Sequence, residues 1–577
     1  MPEYLAPAVY VEETSFRSKS IEGVGTSTAA FVGLTSRGPS GAGILPPLLT
    51  SFADFERYYG GLDDLRIGGN ATPNYLAHAA RAFFNNGGGR LYVSRILAAG
   101  AAAATSAVLN SPAGAANKQV TVSARNPGGA EIPGAPGVNY QVVLRQESLS
   151  STKSLAERLP AGTTVKIGND YYVTGTSPMV TSAADATGYT GLAATGALTV
   201  VTLGVEIRDP SGVVLEYAGL GFHPRHPRYA GLVLGATPPA ASDAMTNPIR
   251  LNIGAASSAV ELRAAIFGAA SERSVDLLGG VDGTGAPSSG DYETALTRLL
   301  ALEDISIIAA PGASSFPAPL PAAVNQALIG SAEARRAYRI AVLDTPPNLD
   351  VQGARDLKSG IDSKYAALYY PWVIVANPLA ASDPSQPSEL ALPPSGFVCG
   401  IYARNDVQRG VWKAPANETV TGALRLQREI RFGEQEVLNP LGINCIRTLP
   451  NRGIRVWGAR TTSSDPEWKY VNVRRYFLYL EASIDHSTQW AVFEPNGERL
   501  WANIRTTVSD FLYAEWLNGA LLGASPKEAF FVNCDRTTMS QNDLDNGRLV
   551  CLIGVAALKP AEFVIFRIGQ KTADARD

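Results

Sequence analysis

The sequence predicts a multidomain α/β and α+β protein: an α/β domain interrupted by a β-rich insertion, then an α+β C-terminal domain, with extended strand arms at both ends. Three observations predict it. The chain has 577 residues, too many for one hydrophobic core. Helical periodicity alternates with short apolar runs before about residue 96 and again after about 270, whereas the residues between are rich in Ala, Gly, Thr and Val. The 56 glycines and 38 prolines favour many turns and strands over a helical bundle.

The elements follow in order. Residues 1–22 read as an arm. In "PAVYVEETSF", Val9 and Val11 alternate with Tyr10 and Glu12, and prolines and charges isolate the run. Residues 23–96 begin the α/β domain. "TAAFVGLTSRGP" is a strand ending in a turn, and "SFADFERYYG" a short helix closed by Gly60. "NYLAHAARAFFNNGGG" is a helix with a glycine stop, and "RLYVSRI" a strand. Residues 97–270 form the insertion, with alternating runs such as "QVTVSARN", "YQVVLRQ" and "VVLEYAG". Residues 271–394 return to α/β grammar near "SVDLLGGVDG" and continue through "ALTRLLALEDISIIAAPG", "AEARRAYRIAVLDTPP" and "YAALYYPWVIVANP". The Pro/Ser-rich "PLAASDPSQPSELALPPSG" marks a boundary. Residues 395–557 then form an aromatic-rich domain with helices at about 473–487 and 498–518. Residues 558–577 are the second arm. In "KPAEFVIFRIGQ", Phe563 and Ile565 point one way and Val564, Phe566 and Ile568 the other. A strand apolar on both faces belongs inside a sheet.

Net charge is -3 with no long Lys/Arg run, which gives no support for nucleic-acid binding. "MPEYLAPAVYVEE" lacks the basic and apolar regions of a signal peptide. "ILAAGAAAATSAVLNSPAGAAN" is too weakly apolar to span a bilayer. Synthesis in the cytoplasm and no membrane insertion are the expectations. Cys399, Cys445, Cys534 and Cys551 form no CxxC pair and read as buried free thiols.

Chemical motifs fail one by one. "GVGTSTAAFVGLTSRGP" lacks the lysine of a phosphate loop, and its glycines precede a strand instead of a helix. "LLGGVDGTG" fails likewise; its glycines suit turns needing positive φ. His223 and His226 in "HPRHPR" are too few for a structural zinc. They, His78 and His486 are expected to be solvated or locally bonded. "QNDLDNGR" places Leu544 and Ile553 where a calcium loop needs oxygen ligands, so Asn546-Gly547 reads as a tight turn between strands. No catalytic, cofactor-binding or metal-ligating set emerges.

The helix "NVRRYFLYLEASIDH" stands out. Val473, Phe477, Leu480 and Ile484 form an apolar stripe centred on Phe477 and Leu480. Arg474, Leu478, Glu481 and Asp485 form another, with Asn472 as the N-cap. Arg474 and Arg475 in the first turn and Asp485 near the end oppose the helix dipole, by about 0.3–1 kcal/mol per charge. One reading is a solvated face; the other is that the charges are placed for a partner.

At the C-terminal domain the residues become specific. "GVWKAPAN", "NRGIRVWGART", "DPEWKYVNVRRYFLYLEASI", "FEPN", "QNDLDNGRL" and "LKPAEFVIFRI", with "PAVYVEE" and "GVGTSTAAFVGLTSRGP" at the start, resemble the contractile tail sheath proteins of phages and contractile injection particles. The resemblance covers roughly residues 1–95 and 275–577. It implies six-fold rings stacked helically around an inner tube, which contract to drive the tube through a target envelope without a nucleotide or other cofactor. It implies a homo-oligomer meeting an inner tube protein, a baseplate and a terminator or cap. It makes Val9, Tyr10, Val11, Phe563, Val564, Ile565, Phe566 and Ile568 inter-subunit arm strands. It turns Arg474, Arg475, Leu478, Glu481 and Asp485 towards the tube as an exposed face. The particle is a phage tail, a tailocin or an extracellular device. Two other classes stay open: an α/β nucleotide-binding enzyme and a static surface or adhesin protein.

Overall fold

The computed structural model describes residues 20–40, 44–109, 118–174, 189, 191–254 and 258–566. The chain divides into two compact units. One comprises Ser27–Arg404 and Pro415–Lys469; the other gathers the residues up to Thr26, Asn405–Ala414 and those from Tyr470 onward.

The larger unit is built on an eight-stranded sheet. Its order is Glu418–Thr419, Gly453–Val456, Ile443–Leu449, Ala366–Tyr370, Ile340–Asp344, Ile307–Ala309, Thr28–Leu34 and Arg90–Ile96. From Ile443–Leu449 to Arg90–Ile96 every pairing is parallel. Parallel strands need crossover connections that cover both faces. The strand Thr28–Leu34 shows the result. Ala30 and Val32 join the core with Tyr292 and Leu296 of the helix Ser289–Leu299. On the other face Phe31 meets Phe83 of the helix Tyr75–Asn85, ring centroids 5.7 Å apart. That helix lies backbone to backbone against the start of the helix Ser395–Arg409: a Cβ on Gly396 would stand 2.7 Å from the Ala79 Cα.

Three expected boundaries move. "PLAASDPSQPSELALPPSG" ends no domain, because Glu389–Leu392 returns to pair antiparallel with Val373–Ala376. The strand Ile443–Leu449, expected in a C-terminal domain 395–557, sits beside Ala366–Tyr370 in the α/β sheet, with Leu368 opposite Ile443. Its first four residues are buried, which suits a strand covered on both faces. Lastly, the insertion does not stop at 270. Glu272–Leu278 pairs antiparallel with Val138–Thr152 in a six-stranded sheet with Ala197–Arg208, Val214–Leu220, Thr164–Ile167 and Asp170–Val173. Only Val275 and Leu277 of this strand are buried, alternating with exposed Ser274, Asp276 and Leu278. That period of two marks a half-covered antiparallel sheet. The two ends of the insertion run side by side, with bridges Ala99–Gly285, Ala102–Val281 and Thr105–Leu278.

The smaller unit packs the helices Val471–Ser487 and Glu498–Leu517 around Tyr476, Leu480, Trp501, Ile504, Val508 and Leu512. Asn546-Gly547 is a turn, as expected, but it closes a short helix instead of joining two strands directly. Ser540 and Asp543 form a reciprocal capping box that starts a short helix, Gln541–Asp545. Gly547 takes φ of 67° just after it. The flanking strands Phe530–Asn533 and Leu552–Val555 still pair, Phe530 with Val555 through Asn533 with Leu552.

Candidate assembly surface and its buried support

The helix Val471–Ser487 begins one residue before Asn472, with Tyr470 at its N-cap position and no side-chain cap. Asn472 is inside it and buried, and its amide donates to the carbonyls of Trp412 (2.8 Å) and Leu558 (3.0 Å). The expected N-cap instead ties two chain segments to the helix.

The largest correction concerns Arg474, Arg475 and Leu478, which were expected on an exposed, tube-facing stripe. They are 2%, 3% and 4% exposed. Arg475 grips Asp406 through two bonds of 2.9 and 2.5 Å and donates to the Thr26 carbonyl at 2.9 Å. The Thr26 hydroxyl donates to the same carboxylate at 2.7 Å. Burial raises the Asp406 carboxyl above its ordinary value, and Arg475, Thr26 and Asn405 act in the opposite direction. Arg474 donates to Glu481 at 2.7 Å, so the one bridges two turns of its own helix. Of the five residues expected to face the tube, Glu481 is exposed and Asp485 half-buried. Phe477 is only partly buried, so Tyr476 and Leu480 take the central place expected of Phe477 and Leu480.

The physical reason lies with residues far away in sequence. Asp406 and Thr26 supply the counter-charge and acceptor that let Arg475 enter the interior, while Arg474 takes its counter-charge from Glu481. Sequence reading did not single out either. The signal was there, in the first-turn arginines that oppose the dipole; the partner they implied is within the chain. A second buried carboxylate, Glu515, accepts from Tyr476 at 3.1 Å and Tyr479 at 2.9 Å. Burial pushes its acid up, and the two phenols pull it part of the way back. Tyr479 also closes on Gly23, where a Cβ would lie 2.2 Å from its hydroxyl. The Val24 amide donates to Ser483 at 3.1 Å. Residues 22–24 thus lie along the helix Val471–Ser487.

This framework carries the strands Phe530–Asn533 and Leu552–Val555. They form a sheet of two, with no third strand on either edge among the described residues. Phe531, Leu552 and Ile553 are exposed on it at 54%, 53% and 36%. Beyond it, Tyr470 donates to Glu562 at 3.1 Å. Past that bond Phe563, Val564, Ile565 and Phe566 stand 70%, 68%, 78% and 84% exposed, paired with no strand of the described chain. Val9, Tyr10, Val11 and Ile568 lie outside the described residues.

The remaining candidates resolve locally. Nδ1 of His223 accepts from the Arg225 amide, and Nδ1 of His226 from the Arg228 amide, both at 3.1 Å. His78 is not solvated: it is 3% exposed, and burial pushes it down to about 4. Gly279 and Gly283 of "LLGGVDGTG" take the expected positive φ. Among the described residues no three His, Cys, Asp or Glu groups converge on a metal position. A doubly wound sheet holds its ligand where neighbouring strands lead away in opposite directions. Here that crevice lies between Leu34 and Pro311 and is filled by Tyr75 and Tyr292, leaving about 20 Å³. Ligand pockets run to hundreds of Å³.

Comparison with known proteins matches two consecutive stretches of the chain. Residues 285–462 match the model of the phage tail sheath protein central domain, and residues 463–571 that of the phage tail sheath C-terminal domain. The first begins where the insertion's two ends meet. A putative prophage major tail sheath protein of Pseudomonas aeruginosa (strain UCBPP-PA14) is 28% identical over 269 residues, 45% of this chain and 64% of that relative. The tail sheath protein of Burkholderia phage BcepMu is 27% identical over 154 residues, 24% of this chain and 31% of that protein. The chain thus matches less than two thirds of the length of these curated relatives. Among solved structures, the helical sheath of the anti-feeding prophage in its contracted state shares the fold with TM-score 0.54 and 20% identity, over 99% of this chain and 100% of that one. The sheath complex of PVC, an extracellular contractile injection system, also contracted, does so with TM-score 0.53 and 20% identity over 99% of both chains. By its matched domains and its curated relatives, the chain belongs to the phage tail sheath protein family.

Proposed function

We propose that the chain is the repeating structural subunit of a contractile sheath. It polymerises as stacked six-fold rings around an inner tube, and contraction drives the tube through a target envelope. The observation that carries this reading is a complementary pair in the smaller unit: a two-stranded sheet with open edges, and an exposed apolar segment at Phe563–Phe566. An isolated two-stranded sheet is marginal in water, and an exposed apolar strand edge is an aggregation hazard unless something covers it. Strand addition between subunits answers both needs. Each main-chain bond contributes about 0.5–1.5 kcal/mol net, and repetition along the sleeve turns modest joins into a continuous mesh.

The finer partners follow from the same reading. The inner tube meets the Glu481 end of the helix Val471–Ser487, the part of it that solvent reaches. Baseplate and cap proteins close the two ends of the sleeve. The subunit is made in the bacterial cytoplasm and leaves as part of a phage tail or a released particle.

Removal of residues 559–577 tests the reading. The truncated chain is expected to stay soluble and melt cooperatively, while negative-stain imaging with its native tube and baseplate shows no long sleeves. Sleeves of normal length would overturn the role of the segment.

A further inference from the structure

The last sheet of the chain brings two of the four cysteines together. Asn533 faces Leu552 in its register, so one step further Cys534 faces Cys551. At the other end the Ala556 amide donates to the Ala529 carbonyl at 2.8 Å. Counting alternate pairs along the antiparallel ladder from there makes Cys534 and Cys551 a pair without mutual backbone bonds. Such pairs bring side chains closest, with Cα atoms about 4.5 Å apart. A disulfide accepts Cα separations of roughly 4.4–6.8 Å. Each thiol perturbs the other's titration, as neighbouring side chains do, and neither is in a disulfide. Both belong to the apolar cluster of the smaller unit, Cys534 fully buried and Cys551 in part reached by solvent. Cys399 and Cys445 are buried elsewhere, in the larger unit.

We propose that Cys534 and Cys551 are a dithiol that a small-molecule disulfide oxidises to an intrachain disulfide. The Cys551 thiolate attacks one sulfur of the oxidant. The oxidant's S–S bond breaks, a mixed disulfide forms on Cys551, and one small thiol leaves. The Cys534 thiolate then attacks the Cys551 sulfur, the protein S–S bond forms, and the second small thiol leaves. Two protein thiols are oxidised by two electrons, the oxidant is reduced to two thiols, and the two protons go to the departing sulfurs. Burial pushes the Cys551 thiol up to about 12 and raises Cys534 as well, so the exchange is slow. In a reducing cell the pair stays as thiols, and an oxidising medium favours the bond.

The bond's position gives it a consequence. It closes the loop that carries the short helix Gln541–Asp545. It also fastens the start of Leu552–Val555, the strand that runs on to the exposed Phe563–Phe566. Tension on that segment would then be borne by a covalent tie and not by the four ladder pairs alone.

The test uses the full-length chain, folded and without added denaturant, incubated with oxidised glutathione. Remaining thiols are blocked with N-ethylmaleimide after unfolding, and the chain is digested with trypsin. Cleavage after Arg536 and Arg548 places the two cysteines in different peptides. The expected result is a linked pair of peptides, lighter than their sum by two hydrogens and separated by dithiothreitol, with Cys399 and Cys445 still fully blocked. N-ethylmaleimide on both Cys534 and Cys551, or glutathione retained on Cys551, overturns the proposal. Cys551→Ser is expected to abolish the link; a Cys534 cross-link to any other cysteine in that variant also overturns it.

Discussion

The eight-stranded sheet of the larger unit and the two-stranded sheet of the smaller one use their backbones in opposite ways. The first is covered by helices and packs an apolar core of residues such as Ala30, Val32, Ile308 and Leu343. The second stops at two strands and rests on a framework pinned by buried charges, Arg475 with Asp406 and Glu515 with two tyrosines. The difference teaches what holds each part in place. The large sheet is held by apolar packing of its helices on its strands. The small one has no third strand among the described residues and rests on a specific, charge-paired support. Apolar packing tolerates many arrangements, whereas a bidentate guanidinium–carboxylate pair accepts very few.

The largest effect should come from breaking that support. Arg475→Ala leaves Asp406 buried without its counter-charge and is expected to destabilise the smaller unit by about 3–5 kcal/mol. Native-state hydrogen exchange should show lost protection around Tyr476–Leu480, with Ile340–Leu343 unchanged. Replacing both partners with apolar residues, Arg475→Met with Asp406→Leu, should restore much of the loss. A single substitution worth under 1 kcal/mol would mean the pair is dispensable and the contrast between the units false.

A smaller effect is expected from a buried carboxyl in the middle of the large sheet. Asp344 accepts from the Ser395 amide at 2.8 Å and from its hydroxyl at 2.6 Å. Burial pushes its acid up to about 7 from 3.8, against the pull of Ser395. The folded state therefore keeps a proton that the unfolded chain has released. The contribution is fully present below about pH 4 and is lost as pH rises towards 7, on the order of a few kcal/mol across that window. Asp344→Asn should flatten this slope in denaturation curves of the larger unit taken at successive pH values. Parallel slopes for the two chains would show that the carboxyl is ionised when folded.

The smallest effect should follow from removing the insertion. Its ends meet at Ala99 and Gly285, so a short Gly/Ser link from Ala98 to Ala286 spans them. Loop length enters stability only logarithmically. The expected net loss is about 1–2 kcal/mol, with the Arg37–Asp209 ion pair, the bond from Arg95 to the Pro127 carbonyl and the bonds from the Arg66 and Gly68 amides to Asp282 and Gly283 among the contacts removed. Sleeves should still form under the microscope. An unfolded product would place the insertion inside the core.

How much of this could be read in the sequence depended on distance along the chain. Helices such as Phe52–Tyr59, with its Ser51 cap, and Glu498–Leu517 announce themselves through local signals. The crossover pattern of helix and apolar strand is also local, and so is the two-sided apolar run at Phe563–Phe566. The boundary errors arose where a strand's character is set by its neighbour. Glu272–Leu278 has two buried residues out of seven, and only its pairing with Val138–Thr152 assigns it to the insertion. The exposed stripe of Arg474 and Arg475 failed for the same reason at longer range: Asp406 lies 69 residues before Arg475, and Thr26 lies 449 before it. Periodicity marks a helix face but not what occupies the space beside it.

The Arg475–Asp406 pair also bears on how such genes can exchange parts. Most of the smaller unit falls in a single matched domain beginning at residue 463, which an exchange between relatives could move as one piece. Its charge balance is split across the reading frame, with the cation downstream of that junction and the anion upstream, in Asn405–Ala414. A recombination at the junction that imports a different residue at position 406 strands the guanidinium in the hybrid's interior. Viable mosaics should therefore carry both halves of the pair from one parent, or cross over upstream of Asn405.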